Sequence, residues 1–183
     1  MNSIFLALEQ LRNQLSQALP ATPGIRHFDV SFPLNDAFDP LAWLGAQQCY
    51  PQFYWQQRNG DEELAALGAV ITFSSLALAT QFLREQNAAG DTRICGLNAF
   101  NPEQGSLFLP RLFWRRTAGT ATLRLQLWSD YSLQEDAHAA RDFLQQLQPA
   151  RPIRPLAVQV EHENHQPQRA EWLRLVRRAT ETI

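Results

Sequence analysis

Ile4, Leu8, Leu11, Leu15 and Leu19 recur every three or four residues. That spacing predicts an amphipathic helix over residues 3–19, opening near Ser3 and stopping before Pro20. The next segment, GIRHFDVSFPL, changes period: Phe28, Val30 and Phe32 alternate with polar residues, as in a half-buried strand. Asp39 followed by Pro40 is an N-cap and first-turn pair, so LAWLGAQQ reads as a short helix.

YPQFYWQQRNGDEELAALGAV, residues 50–70, contains the Asn59-Gly60 pair that most often makes a two-residue type I′ hairpin turn, because both central residues need positive φ. Strands are therefore expected on either side, with Phe53 and Trp55 on one face of the first and Tyr54 on the other. Ser74 or Ser75 caps a helix over LALATQFLREQ, with Gly90 beyond its end. RICGLNAFN reads as a strand. GSLFLPRLFWRR and TATLRLQLW form a second hairpin around Thr117–Thr120, in which Leu123, Leu125 and Leu127 alternate with Arg124 and Gln126. Pro110 has no N–H to give to a ladder and marks an edge or a bulge. Ser132 and Glu135 have capping-box spacing and open a helix whose Phe143, Leu144 and Leu147 face inward, ending before Pro149.

A proline-spaced linker, RPIRP, and a short strand, LAVQV, come next. The last element, PQRAEWLRLVRRATETI, is a helix with Trp172, Leu173, Val176 and Ile183 on its apolar stripe. It reaches its end in mid-pattern with no glycine, proline or polar stop, as if a longer chain had been cut. The pattern as a whole is α+β: antiparallel strands flanked by packing helices.

Composition narrows the function. The 183 residues suffice for one large domain, with 45% hydrophobic and 19% charged residues. A net charge of −2 leaves no general basic field for nucleic acid or an anionic membrane. The Arg115-Arg116 and Arg177-Arg178 pairs read as solvated faces. No run approaches the roughly 20 apolar residues of a membrane span, and the N-terminus lacks the basic start and cleavage site of a signal peptide; a cytoplasmic location is the expectation. Cys49 and Cys95 lack metal or redox spacing and read as small buried hydrophobes. All sixteen basic residues are arginine. With no lysine, this chain alone supplies no lysine base, Schiff base or P-loop.

Candidate chemistry is sparse. His162 and His165 lie close together, but no further His or Cys completes the three or four ligands of a zinc site. Asp61, Glu62 and Glu63 follow the Asn-Gly pair, where adjacent carboxylates are expected to sit in water. His27 and His138 are isolated on a strand and a helix, and Trp55, Trp114 and Trp128 fall on strands, where packing is the expected role. The residues themselves present no catalytic constellation.

Several long runs carry more than any short motif. YPQFYWQQRNGDEELAALGAV, ATPGIR at residues 21–26, RICGLNAFNPEQGSLFLPRLFWRR and TATLRLQL together resemble the N-terminal part of the menaquinone-specific isochorismate synthases of enteric bacteria, along essentially the whole chain. The resemblance implies the N-terminal part of the chorismate-utilising α/β sandwich, with residues 1–150 as scaffold. Residues 151–183 would be a linker, short strand and helix leading into the chorismate-binding C-terminal domain, on which the scaffold packs. It implies conversion of chorismate to isochorismate by addition of water at C2 and loss of the C4 hydroxyl. A lysine serves as base, a glutamate as acid, and glutamates hold Mg2+ on the substrate carboxylate. None of those positions matches a residue here, so no catalytic, cofactor-binding or metal residue is carried over, no Mg2+ is expected on this chain, and the chain alone is expected to be inactive. A non-catalytic binding or regulatory module on the same scaffold is the alternative; a third reading keeps the enzyme class with another product.

Overall fold

In the computed structural model, residues 3–33, 38–86, 92–101, 103–151, 162 and 164–181 are described. The chain separates into two units, Met1–Pro152 and Ile153–Ile183. The first contains α1 (Ser3–Leu15), β1 (Gly24–Pro33), α2 (Pro40–Gly45), β2 (Gln52–Gln56), β3 (Glu62–Phe73), α3 (Leu76–Glu85), β4 (Cys95–Asn98), β5 (Gly105–Thr117), β6 (Thr120–Ser129) and α4 (Leu133–Gln146). The second contains α5 (Arg169–Thr180); the LAVQV segment and Ile183 lie outside the described residues, as does Gly90.

Six antiparallel strands form one sheet in the order β1-β6-β5-β3-β2, with β4 pairing the start of β5. This is the α+β architecture that the alternating pattern implies. The alternation of β1 and β6 sends Phe28, Val30, Leu123, Leu125 and Leu127 into the largest core, beside Ala65, Leu67, Leu112 and Trp114. Ile4, Leu8, Leu11 and Leu15 of α1, Trp43 and Leu44 of α2, and Leu133, Ala137, Ala140 and Leu144 of α4 complete it. Each large aliphatic or aromatic side chain buried there contributes about 1.5–3 kcal/mol. Phe53, Leu64, Ala66, Cys95, Phe108 and Phe113 make a second cluster, and α3 packs Ala79 and Phe82 on Phe73, Leu107, Leu109 and Trp128 in a third.

Helix α1 is shorter than its hydrophobic period. Its last-turn carbonyl at Leu15 accepts from Arg141 Nη2 of α4 (2.8 Å), and Arg12 Nη2 donates in return to Leu144 O of α4 (2.8 Å). Each helix thereby satisfies an orphan carbonyl of the other, and Leu19 still packs on the core from beyond the helix end.

The tight turn expected at Asn59-Gly60 is found at the other hairpin. Asn59 does not adopt positive φ; Gly60 N–H donates to Gln57 O (2.8 Å) and Gln57 N–H to Glu62 O (2.8 Å), so the β2–β3 connection is a longer loop. The tight turn with two positive φ values is at Ala118 (45°) and Gly119 (78°), between the paired Thr117 and Thr120. Ser75 Oγ does accept from Leu78 N–H and Asp39 Oδ1 from Leu41 and Ala42 N–H, as helix caps. The Ser132 capping box does not form: Ser132 makes no side-chain cap bond, and its N–H instead donates to Ser129 Oγ.

Pro110 sits in the central strand β5, at a bulge where the β3 register shifts between Ala69 and Ile71. There β5 also parts from β6, whose described pairing ends at Leu112↔Leu125. Side chains take over from the missing ladder: Arg111 Nη1 donates to Gln126 O (3.0 Å), Gln126 Nε2 to Pro110 O (2.8 Å), and Trp128 N–H to Asp136 Oδ2 (3.0 Å). Buried backbone groups that lose strand partners are thereby kept satisfied.

Candidate functional site

A set of polar groups lies where β2 and β5 end and β3 and β6 begin. The β2–β3 and β5–β6 connections line a common cleft of about 480 Å³ with Gln57, Gly60, Asp61, Glu62, Arg116, Thr117, Ala118 and Gly119. The three successive acids there separate in role. Asp61 is exposed and bonds back to Asn59. Glu62 accepts from Arg115 Nε (2.7 Å) and pairs with Arg93 Nη2 (3.1 Å). Glu63 is only 8% exposed and lies between Arg116 Nε (2.9 Å) and the Tyr54 hydroxyl, which donates to it at 2.7 Å. The expectation that all three sit in water therefore fails for Glu62 and Glu63: β3 begins at Glu62, and cross-strand arginines on β5 cover them.

Asp29 and Arg124 form a further bidentate pair across β1 and β6, both contacts at 2.7 Å. They line a groove of about 240 Å³ with Ser31, Phe113, Arg115, Thr117 and Thr122. Arg111 and Asp136 make a third pair, bidentate at 2.6 Å, with Arg111 buried and Asp136 half-buried. An arginine inside the apolar run LFLPRLFW was the sequence signal for it, but its partner on α4 is 25 residues away and could not be named from spacing.

In these arrangements arginines are paired with the chain's own carboxylates. Guanidinium is always charged and is no base at neutral pH. Burial, then the bond to Glu63, pushes the Tyr54 phenol up to about 12, away from acid–base work near neutrality. Burial likewise pushes Cys95 up to about 12 and raises Cys49, so neither thiol is activated. Both cysteines are free; Cys95 is buried and Cys49 half-buried against the main core.

The remaining candidates are spread apart. His27 and His138 are exposed, the latter beside Arg141. His162 and His165 are exposed in the second unit. Trp114 is fully buried and Trp128 packs on Phe82, whereas Trp55 is 40% exposed and does not have the packing role expected of it. Among the described residues no three His, Cys, Asp or Glu side chains converge. The neighbouring acids Glu62 and Glu63 are each paired with arginine, which is not the free oxygen set that a Mg2+ ion takes. Among the described residues no helix is long and apolar enough to cross a membrane.

No family model matches the chain. Individual proteins do. Isochorismate synthase MenF of Escherichia coli K12 is 54% identical over 183 residues, covering 100% of this chain and 42% of that protein. Isochorismate synthase MenF of Pasteurella multocida is 30% identical over 147 residues, covering 80% of this chain and 32% of the relative. The Haemophilus influenzae protein of the same name is 41% identical over 86 residues, 46% of this chain and 19% of the relative. The solved structure of MenF, the menaquinone-specific isochorismate synthase from Escherichia coli, superposes with a TM-score of 0.83, over 100% of this chain and 42% of that one. This chain thus spans about two fifths of the length of the Escherichia coli relative. Alike in sequence and in fold along all 183 residues, the chain is a homologue of part of the menaquinone-specific isochorismate synthases.

Proposed function

We propose that this chain is the N-terminal scaffold of an isochorismate synthase that converts chorismate to isochorismate in menaquinone biosynthesis, and that it does not turn over chorismate alone. The observation that carries this reading is the 54% identity sustained over the whole chain together with the matching fold. Two features of the residues support the inactive-alone part. The chain has no lysine to activate water, and each of the acids Asp29, Glu62, Glu63 and Asp136 is held by arginine. The lysine base, the glutamate acid and the Mg2+ ligands are then supplied by the remaining length of the enzyme, as is the chorismate pocket.

Residues 1–150 serve as the scaffold, and residues 151–183 lead toward the chorismate-binding domain. That domain is the partner on which the scaffold packs, and the location is cytoplasmic. Support comes from α5, which buries none of its residues and leaves Trp172, Leu173, Leu175 and Val176 exposed; a helix of twelve residues is marginal in water without a packed face.

The test is isochorismate formation from chorismate with Mg2+, measured on this chain alone and on this chain joined to the part of the Escherichia coli relative that it lacks. Activity in the joined protein only is expected. Turnover by the isolated chain would overturn the scaffold reading, and a joined protein that folds but is inactive would favour a binding module.

A further inference from the structure

Eight asparagines occur in the chain, and only Asn59 precedes a glycine. Asn59 is exposed, Gly60 adds no side chain, and the loop borders the cleft between the two hairpin ends. Asn59 Oδ1 accepts from Asp61 N–H (3.3 Å), and Asn59 Nδ2 donates to the Asp61 carboxylate. In this Asx turn the side-chain carboxamide is hydrogen-bonded to Asp61, two residues on. The carbon Cγ of the exposed Asn59 and the Gly60 nitrogen that can attack it, its next neighbour in the chain, lie in one loop.

We propose that Asn59 is a site of spontaneous deamidation, with Gly60 N as the nucleophile. The Gly60 N–H proton leaves to water or hydroxide, and the nitrogen forms a bond to Asn59 Cγ. The Cγ–Nδ2 bond breaks, the departing nitrogen takes up a proton, and ammonia is released. Water then adds to either carbonyl of the resulting succinimide, giving aspartate at 59 or its isoaspartyl isomer. No oxidant or reductant is needed. The hydrogen bond from Gly60 N–H to Gln57 O is the restraint that has to open first, and in an exposed loop such local opening is inexpensive.

The product differs in a defined way. A donor facing Asp61 becomes a second carboxylate, so one hydrogen bond is lost and two like charges meet in the loop that joins β2 to β3. The net charge moves from −2 to −3 at neutral pH, and the isoaspartyl form also lengthens the loop backbone by a methylene.

The experiment incubates the intact chain in mildly alkaline buffer at physiological temperature. It is followed by isoelectric focusing and by mass mapping of the peptide between Arg58 and Arg84, with a urea-unfolded sample as the reference for the unrestrained rate. Expected are an acidic satellite band, a one-dalton gain confined to Asn59, and isoaspartate at that position, all absent from Asn59→Gln, whose longer side chain closes its ring far more slowly. Conversion of the unfolded sample with none in the folded chain would overturn the proposal and show that the Gln57–Gly60 bond locks the turn. An acidic band that maps to another asparagine would overturn it as well.

Discussion

Asp136 shows how much one side chain can hold. Its two oxygens take Arg111 in a bidentate pair, and one of them also accepts the Trp128 N–H. Removing it leaves a guanidinium in a buried site with no counter-charge, a loss of roughly 3–5 kcal/mol for a pair of this kind. Asp136→Ala is therefore expected to lower the urea midpoint sharply, whereas Glu135→Ala, on the exposed side of the same turn, changes it little. Sequence favoured the opposite choice, because Ser132 and Glu135 match a capping box while nothing local points from Asp136 to Arg111. A second expectation concerns alkali. The Cys95 thiol and the Tyr54 phenol have raised pKa values in the folded chain, both about 12 against ordinary values of 9.0 and 10.0. Their folded forms hold protons that the unfolded chain releases, so the associated stability is complete below pH 9 and is lost as pH climbs toward about 12. Chemical denaturation at a series of pH values should show that decline, and Tyr54→Phe should remove the tyrosine's share.

Turns and bulges are the elements on which the fold depends and on which sequence reading was least reliable. The periods of β1, β6, α3 and α4 were legible because each element satisfies its own alternation or helical stripe. The hairpin ends were not, since Asn59-Gly60 is drawn into a longer loop while Ala118 accepts φ of 45° despite its Cβ. Ala118→Gly should raise stability by about 0.5–1 kcal/mol by relieving that conformation, read as a higher melting temperature. Gly68, at the bulge, gives the converse. Its φ is +67°, and a Cβ there would lie 2.6 Å from the Phe143 ring. Gly68→Ala is expected to cost about 1–3 kcal/mol through overpacking as well as backbone strain, by the same melting measurement.

At the level of the whole molecule, the first unit contains the six described strands and helices α1–α4, with α1, α2 and α4 packed on the main core. The α+β class followed from periodicity alone. The Arg–carboxylate pairs were hidden, because each joins strands or helices far apart in sequence.

The parting of β5 and β6 at Pro110 makes the Trp128 amide a reporter. Its hydrogen is held by a carboxylate of α4 and not by a neighbouring strand, so its exchange with deuterium should follow the lifting of α4 from the sheet. The amides of β6 that are bonded to β1 or β5 would wait for the strands themselves to separate. Fast exchange at Trp128 beside slow neighbours would identify α4 as a part that opens on its own, and a common rate would make helix and sheet a single cooperative block.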